Sequence, residues 1–115
     1  MSLSNLMSML KGGSSVPAIE HEELVQACLD GACHVVDVRE PVEYASGHIE
    51  GAVNHPLSRF VPSALPQDKP VVLVCQAGGR SARALGLAHD AGRTDIKHYA
   101  PGTAGWRARG GPMAM

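Results

Sequence analysis

Cys75-Gln76-Ala77-Gly78-Gly79-Arg80-Ser81 is the stretch of this chain whose residue types and spacing suit chemistry. A thiol comes first, two adjacent glycines follow, and an arginine closes the run. The thiolate is the reactive form of cysteine, and helix N-termini and nearby cations stabilise it. Paired glycines let the backbone curl so that successive N–H groups converge on an anion. Cys75 is therefore expected to be a nucleophile facing an anionic or sulfur-bearing substrate. Gln76, Ala77, Gly78 and Gly79 would supply the cradle, and Arg80 a forked cation toward the substrate or the loop carbonyls. Ser81 would start and cap the next helix. A thiol lowered by about two pH units corresponds to roughly 2.7 kcal/mol of differential stabilisation, and no separate general base is then required.

Asp37 and Arg39 are the next candidates. They lie just past an apolar strand, on the same edge as Cys75 if the sheet is parallel. Arg39 is expected to help attract an anion or to pair with Glu40 or Glu43. Asp37 is expected to support the site by bracing the turn. His48 reads as packed and hydrogen-bonded, Arg83 as an exposed helix cation, and Trp106 as the anchor of a last helix. Cys28 falls on the apolar side of its helix. Cys33 precedes a strand and is expected to be exposed at the edge opposite Cys75.

The elements that must position these groups alternate. Glu20–Leu29 reads as a helix stopped by Gly31, and His34–Val38 as a strand. Pro41 opens a short helix through Ser46. Gly47–Asn54 holds a turn and a short strand with Ala52 and Val53 inside. Leu57–Leu65 is broken up by prolines. Val71–Val74 is a buried strand and Ser81–Ala91 a helix. Ile96–Tyr99 is a last strand and Ala104–Arg109 a last helix. This order predicts an α/β fold with an open, mostly parallel five-stranded sheet flanked by helices. Active sites in such sheets lie at the carboxyl ends of the strands, where Cys75 falls.

With 115 residues the chain is about one domain. Leu3, Leu6, Met7 and Leu10 mark one helical stripe ahead of Gly12-Gly13-Ser14-Ser15, so residues 1–15 read as a flexible or amphipathic tail and 16–115 as the domain. A net charge of −1 argues against a nucleic-acid surface. Three cysteines cannot all pair within one chain and show no zinc spacing, which points to a reducing, cytoplasmic compartment and no metal. No stretch is long enough for a transmembrane segment, and the tail does not have the order of a secretory signal.

The cysteine loop does not stand alone. Asp37-Val38-Arg39-Glu40-Pro41, Glu43-Tyr44, Gly47-His48-Ile49, Gly51-Ala52-Val53-Asn54 and the loop itself, in this order, closely resemble the rhodanese (thiosulfate sulfurtransferase) family. Gly102, Trp106 and Gly110-Gly111-Pro112 resemble its C-terminal end, and the likeness spans about residues 17–113. Pro101 stands where the family often has a glycine, Arg93 where an aromatic is common, and Ala88 where a larger apolar residue is common. The resemblance implies a rhodanese-like fold and transfer of a sulfane sulfur through a persulfide on Cys75. Thiosulfate or a related small molecule would be the donor, and cyanide or a thiol the acceptor. Protein donors or acceptors, or a non-catalytic binding module, are the alternatives. No cofactor is implied. The four residues between Cys75 and Arg80 also separate this loop from cysteine-dependent phosphatases, whose C-x5-R loop is one residue longer to surround a phosphate.

Overall fold

Val71-Val72-Leu73-Val74 has no polar position to turn toward water, so both of its faces must be covered. In the computed structural model, which describes residues 17–115, it forms β4 (Val71–Val74), buried at every residue. The tail expected over residues 1–15 lies outside the described residues. Beside β4 run β1 (His34–Asp37) and β5 (Ile96–His98), and β3 (Val53–Asn54) lies beyond β1. The order β3-β1-β4-β5 is parallel throughout. Ala18 adds a one-residue parallel bridge to His98 at the far edge. There the Ile19 N–H donates to the His98 carbonyl at 3.0 Å and the His98 N–H to the Pro17 carbonyl at 2.9 Å. The expected five-stranded sheet is thus four strands with a minimal fifth. Two further strands, β2 (His48–Ile49) and β6 (Met113–Ala114), form a separate antiparallel pair.

Side chains alternate across a strand, so neighbouring residues join different cores. Val36, Val71, Leu73 and Ile96 face α3 (Gly79–Asp90) and pack on its Ala84, Leu85 and Ala88. Val35, Val72 and Val74 face the other way, toward Leu24 of α1 (His21–Asp30) and Trp106 of α4 (Gly102–Ala108). The short α2 (Pro41–Ala45) follows β1, with Pro41 in its first turn. Ala88, small at this position, is fully buried against the sheet.

Two sequence expectations are corrected. Val53 is 52% exposed rather than inside, because the alternation that buries Ala52 turns the next residue of an edge strand outward. Helix α3 starts at Gly79, two residues before Ser81, since Gly78 supplies the non-helical cap. Ser81 is therefore inside the first turn and is not the cap.

Candidate active site

The parallel sheet brings the ends of β1 and β4 to one edge, with Asp37 paired in register to Val74. Cys75 extends the alternation of Leu73 and so points toward α3. Its loop is pinned from behind by α4. Thr103 N–H donates to the Cys75 carbonyl at 2.9 Å and Ala104 N–H to the Gln76 carbonyl at 3.2 Å. This approach needs Gly102, whose φ is +69° and where a Cβ would stand 2.6 Å from the Cys75 carbonyl oxygen. The glycine that this packing requires is Gly102, not its neighbour Pro101.

Cys75 is 1% exposed, and its sulfur sits inside a ring of donors. Gly78 N–H donates to it at 3.1 Å and Ser81 N–H at 3.3 Å, and Ser81 Oγ lies 3.6 Å away. Burial pushes the thiol up. The Ser81 hydroxyl and the N–H groups of Ser81, Ala77 and Gly78 outweigh it and bring the group below its ordinary value. The two glycines of the loop differ in role. Gly78 has φ +102°, and a Cβ there would meet the Ala100 carbonyl oxygen at 2.6 Å, whereas Gly79 is ordinary helix with open space where a Cβ would go. Gln76 is exposed and its Oε1 accepts from the Thr103 hydroxyl at 2.9 Å.

Arg80 is turned to a carboxylate rather than to a loop carbonyl. Its guanidinium grips Glu43 through both nitrogens, at 2.7 and 3.0 Å. The bond from Arg80 holds the Glu43 carboxyl down at about 2, and the carboxylate raises Arg80 in return. Arg39 pairs with Asp37 rather than with Glu40 or Glu43. Asp37 is fully buried and accepts the Arg39 backbone N–H at 2.9 Å and Nη2 at 2.8 Å, and Nη2 also donates to the Gly47 carbonyl at 2.7 Å. Asn54 donates to the carbonyls of both Asp37 and Arg39. This pair fixes the turn after β1. Arg39 also lines a polar cavity of about 440 Å³ beside the loop, together with Gln76, Thr103 and Arg107.

The remaining candidates fall elsewhere. His48 Nδ1–H donates to the Tyr44 carbonyl at 2.9 Å and its ring stacks on Tyr44, so it is packed and hydrogen-bonded. Trp106 Nε1–H donates to the Pro112 carbonyl and the ring packs edge-on against Tyr99, anchoring α4. Arg83 is exposed. Cys33 is half-buried rather than exposed, and its thiol meets that of Cys28, because α1 ends one turn before β1 begins and both face the same core. All three thiols are free. Among the described residues no group of three or more His, Cys, Asp or Glu side chains could hold a metal ion, and no helix is long and apolar enough to cross a membrane.

Two residues that hold the loop's Arg80 and Ser81 were not tied to them by the sequence. Glu43 reads locally as a first-turn acid of α2, and nothing local ties it to Arg80, 37 residues away. His98 lies 2.9 Å from Ser81 Oγ through Nδ1. A signal for it existed: it is two residues after Ile96 in a strand and so shares its inward face.

A family model for the rhodanese-like domain matches residues 20–109. An uncharacterized protein of Synechocystis, slr1261, is 42% identical over 96 residues, which are 82% of this chain and 54% of that protein, so the chain spans about half of that relative's length. The thiosulfate sulfurtransferase GlpE of Pseudomonas fluorescens is 35% identical over 89 residues, covering 75% of this chain and 81% of GlpE. Among solved structures, the human single-domain sulfurtransferase TSTD1 superposes with a TM-score of 0.73 at 30% identity, over 81% of this chain and 96% of that one.

Proposed function

The chain belongs to the rhodanese-like domain family, and from that premise we propose that it is a sulfurtransferase that carries a sulfane sulfur on Cys75. The observation that carries this reading is the buried sulfur ringed by N–H donors, which favours an anion at that position. With thiosulfate as donor, the Cys75 thiolate attacks the outer sulfur. The S–S bond of thiosulfate breaks, sulfite leaves with the bonding pair, and Cys75–S–S⁻ remains. The terminal sulfur then carries the negative charge, and the N–H groups of Ala77, Gly78 and Ser81, which surround the Cys75 sulfur, would hold it. A thiol acceptor RSH attacks that sulfur, giving RSSH and the Cys75 thiolate. Cyanide or the thiol of a protein acceptor would be served by the same geometry.

The C-x4-R spacing supports sulfur over phosphate, because the loop has one residue fewer than a phosphate cradle uses. In the resting protein Arg80 is committed to Glu43 and Arg39 to Asp37. These pairs brace the loop and the turn after β1, and Arg39 and Arg107 line the flanking cavity that an anionic donor or acceptor would enter. Three free thiols suit a reducing, cytoplasmic compartment.

The test is direct. The protein is incubated with thiosulfate and its intact mass is read, with Cys75→Ser beside it. Gain of one sulfur atom in the parent and none in the variant is the expected result. No adduct, or one that survives the substitution, sinks the mechanism.

A further inference from the structure

His98 is buried and plays no part in the sulfur chemistry proposed for Cys75. Its position follows from the register of the sheet. Leu73 pairs with His98, and Val71 with Ile96, so His98 shares the face on which Leu73 and Cys75 meet α3. On that face it reaches Ser81, with Nδ1 2.9 Å from the hydroxyl oxygen. Ser81 Oγ is in turn 3.6 Å from the Cys75 sulfur and 3.2 Å from the Gly78 carbonyl oxygen. One hydroxyl hydrogen thus has three acceptors in range: the sulfur, the Gly78 carbonyl and the imidazole.

Which of them receives it depends on His98. If Nδ1 lacks a hydrogen, it accepts the hydroxyl, and the sulfur loses a donor. If Nδ1 carries the hydrogen, it donates to Ser81 Oγ, and the hydroxyl is released toward the anion or the Gly78 carbonyl. A thiolate or persulfide is the stronger acceptor of those two. We propose that His98 is a positioning residue that, as the neutral Nδ1–H tautomer, donates to Ser81 and so aims the Ser81 hydroxyl at the Cys75 sulfur.

The surroundings suit a neutral imidazole. Burial lowers His98 below its ordinary range. Apart from the Cys75 sulfur itself, the elements packed on it bring no countercharge. β4 presents apolar residues and the Cys75 thiol. The Ala18 edge presents backbone. On α3, Arg80 is bound to Glu43, Arg83 is exposed, and His89 bonds the Ile96 carbonyl.

The inference rests on Cys75 being the reactive thiol but needs no sulfur donor, so it is tested by alkylation. The rate of iodoacetamide modification at Cys75, quantified at the peptide level from pH 5 to 10, gives the thiol midpoint. His98→Leu should raise it by about one unit, slowing alkylation about tenfold below both midpoints. His98→Asn, which can place an amide N–H near the same point, should recover most of the shift. In a Ser81→Ala background His98→Leu should do nothing further. An unchanged midpoint in His98→Leu, or an equal shift with and without the Ser81 hydroxyl, overturns the proposal. Nitrogen-15 spectra of the unmodified protein decide independently of any variant's folding: a His98 ring protonated at Nδ1 alone is expected, and one protonated at Nε2 alone overturns it. Intact-mass persulfidation remains the separate measure of sulfur transfer.

Discussion

Cys75 and the Cys28–Cys33 pair place the same side chain in opposite electrostatic settings. All three thiols are removed from water to a large degree, and burial pushes each of them up. At the amino edge of the sheet the opposing contacts, Cys33 on Cys28 and Lys69 on Cys33, do not overcome that effect. Cys33 rises to about 11, with the neighbouring Cys28 thiol adding to the rise and only Lys69 opposing it. At the carboxyl edge three N–H groups and a hydroxyl surround the sulfur, and the more buried thiol comes out the more acidic. Exposure alone would rank them the other way. Oriented backbone dipoles, and the strand end that gathers them, bring one thiol below its ordinary value, while the other two rise above it.

The sharpest way to break this contrast is to remove the curvature that gathers the dipoles. Gly78→Ala forces a Cβ onto the Ala100 carbonyl at a backbone angle that side chains avoid. The N–H groups should leave the sulfur, and sulfur transfer should fall by about a hundredfold. Gly79→Ala, one residue on, adds a methyl group to open space in a helix. Its rate should stay within about twofold of the parent, with a slight gain in stability, since alanine is the better helix former. Steady-state thiosulfate assays on both variants read the difference. Equal losses at the two positions would mean that the loop needs flexibility rather than a directed cradle.

A second measurement sets the thiols directly against one another. At pH 7 the gap between Cys33, at about 11, and Cys75, below its ordinary 9, is at least about a hundredfold in thiolate. Part of this is returned because a less basic thiolate is intrinsically a weaker nucleophile, which leaves about tenfold in rate. Peptide-level alkylation kinetics should therefore find Cys75 modified about ten times faster than Cys33 despite its deeper burial. The reverse order would mean that access, not acidity, controls these thiols.

The same contrast explains what the sequence could reveal. Period-two patterning, the proline and glycine breaks, and the run Val71–Val74 carry the sheet, the helices and the edge on which Cys75 sits, because these depend on local composition. The nest is legible too, since the donors come from the residues that follow the cysteine. What stays hidden depends on elements far apart in the chain. Arg80 finds Glu43 across 37 residues and Ser81 finds His98 across 17, through the docking of α2 and β5 around α3. Cys33 meets Cys28 because a helix end and a strand start share one core, which the edge position alone did not suggest. Arg39 choosing Asp37 over Glu40 and Glu43 is a competition between near neighbours, decided by the turn that brings the Arg39 backbone N–H and guanidinium onto the Asp37 carboxylate.

Glu43 gives the smallest effect and separates cation from nest. Its carboxyl is held at about 2, against an ordinary 4.5, chiefly by the bond from Arg80. A carboxyl lowered on folding stabilises the native state fully above its unfolded value and loses that contribution as the pH falls through its folded value. The window therefore lies between about 4.5 and about 2. Both partners are over a third exposed, so solvent screening limits the contribution to about 1 kcal/mol or less. Denaturant unfolding at pH 6 and at pH 2 should show Glu43→Gln weaker than the parent at the higher pH and nearly equal to it at the lower. The variant also frees Arg80 while leaving every N–H donor in place. If the nest governs Cys75, the alkylation midpoint should move by less than about half a unit, a small effect for a charge already largely screened. A drop of a full unit would instead give the freed guanidinium the larger share in holding the thiolate, and would narrow the difference between the two edges of the sheet to the placement of one cation.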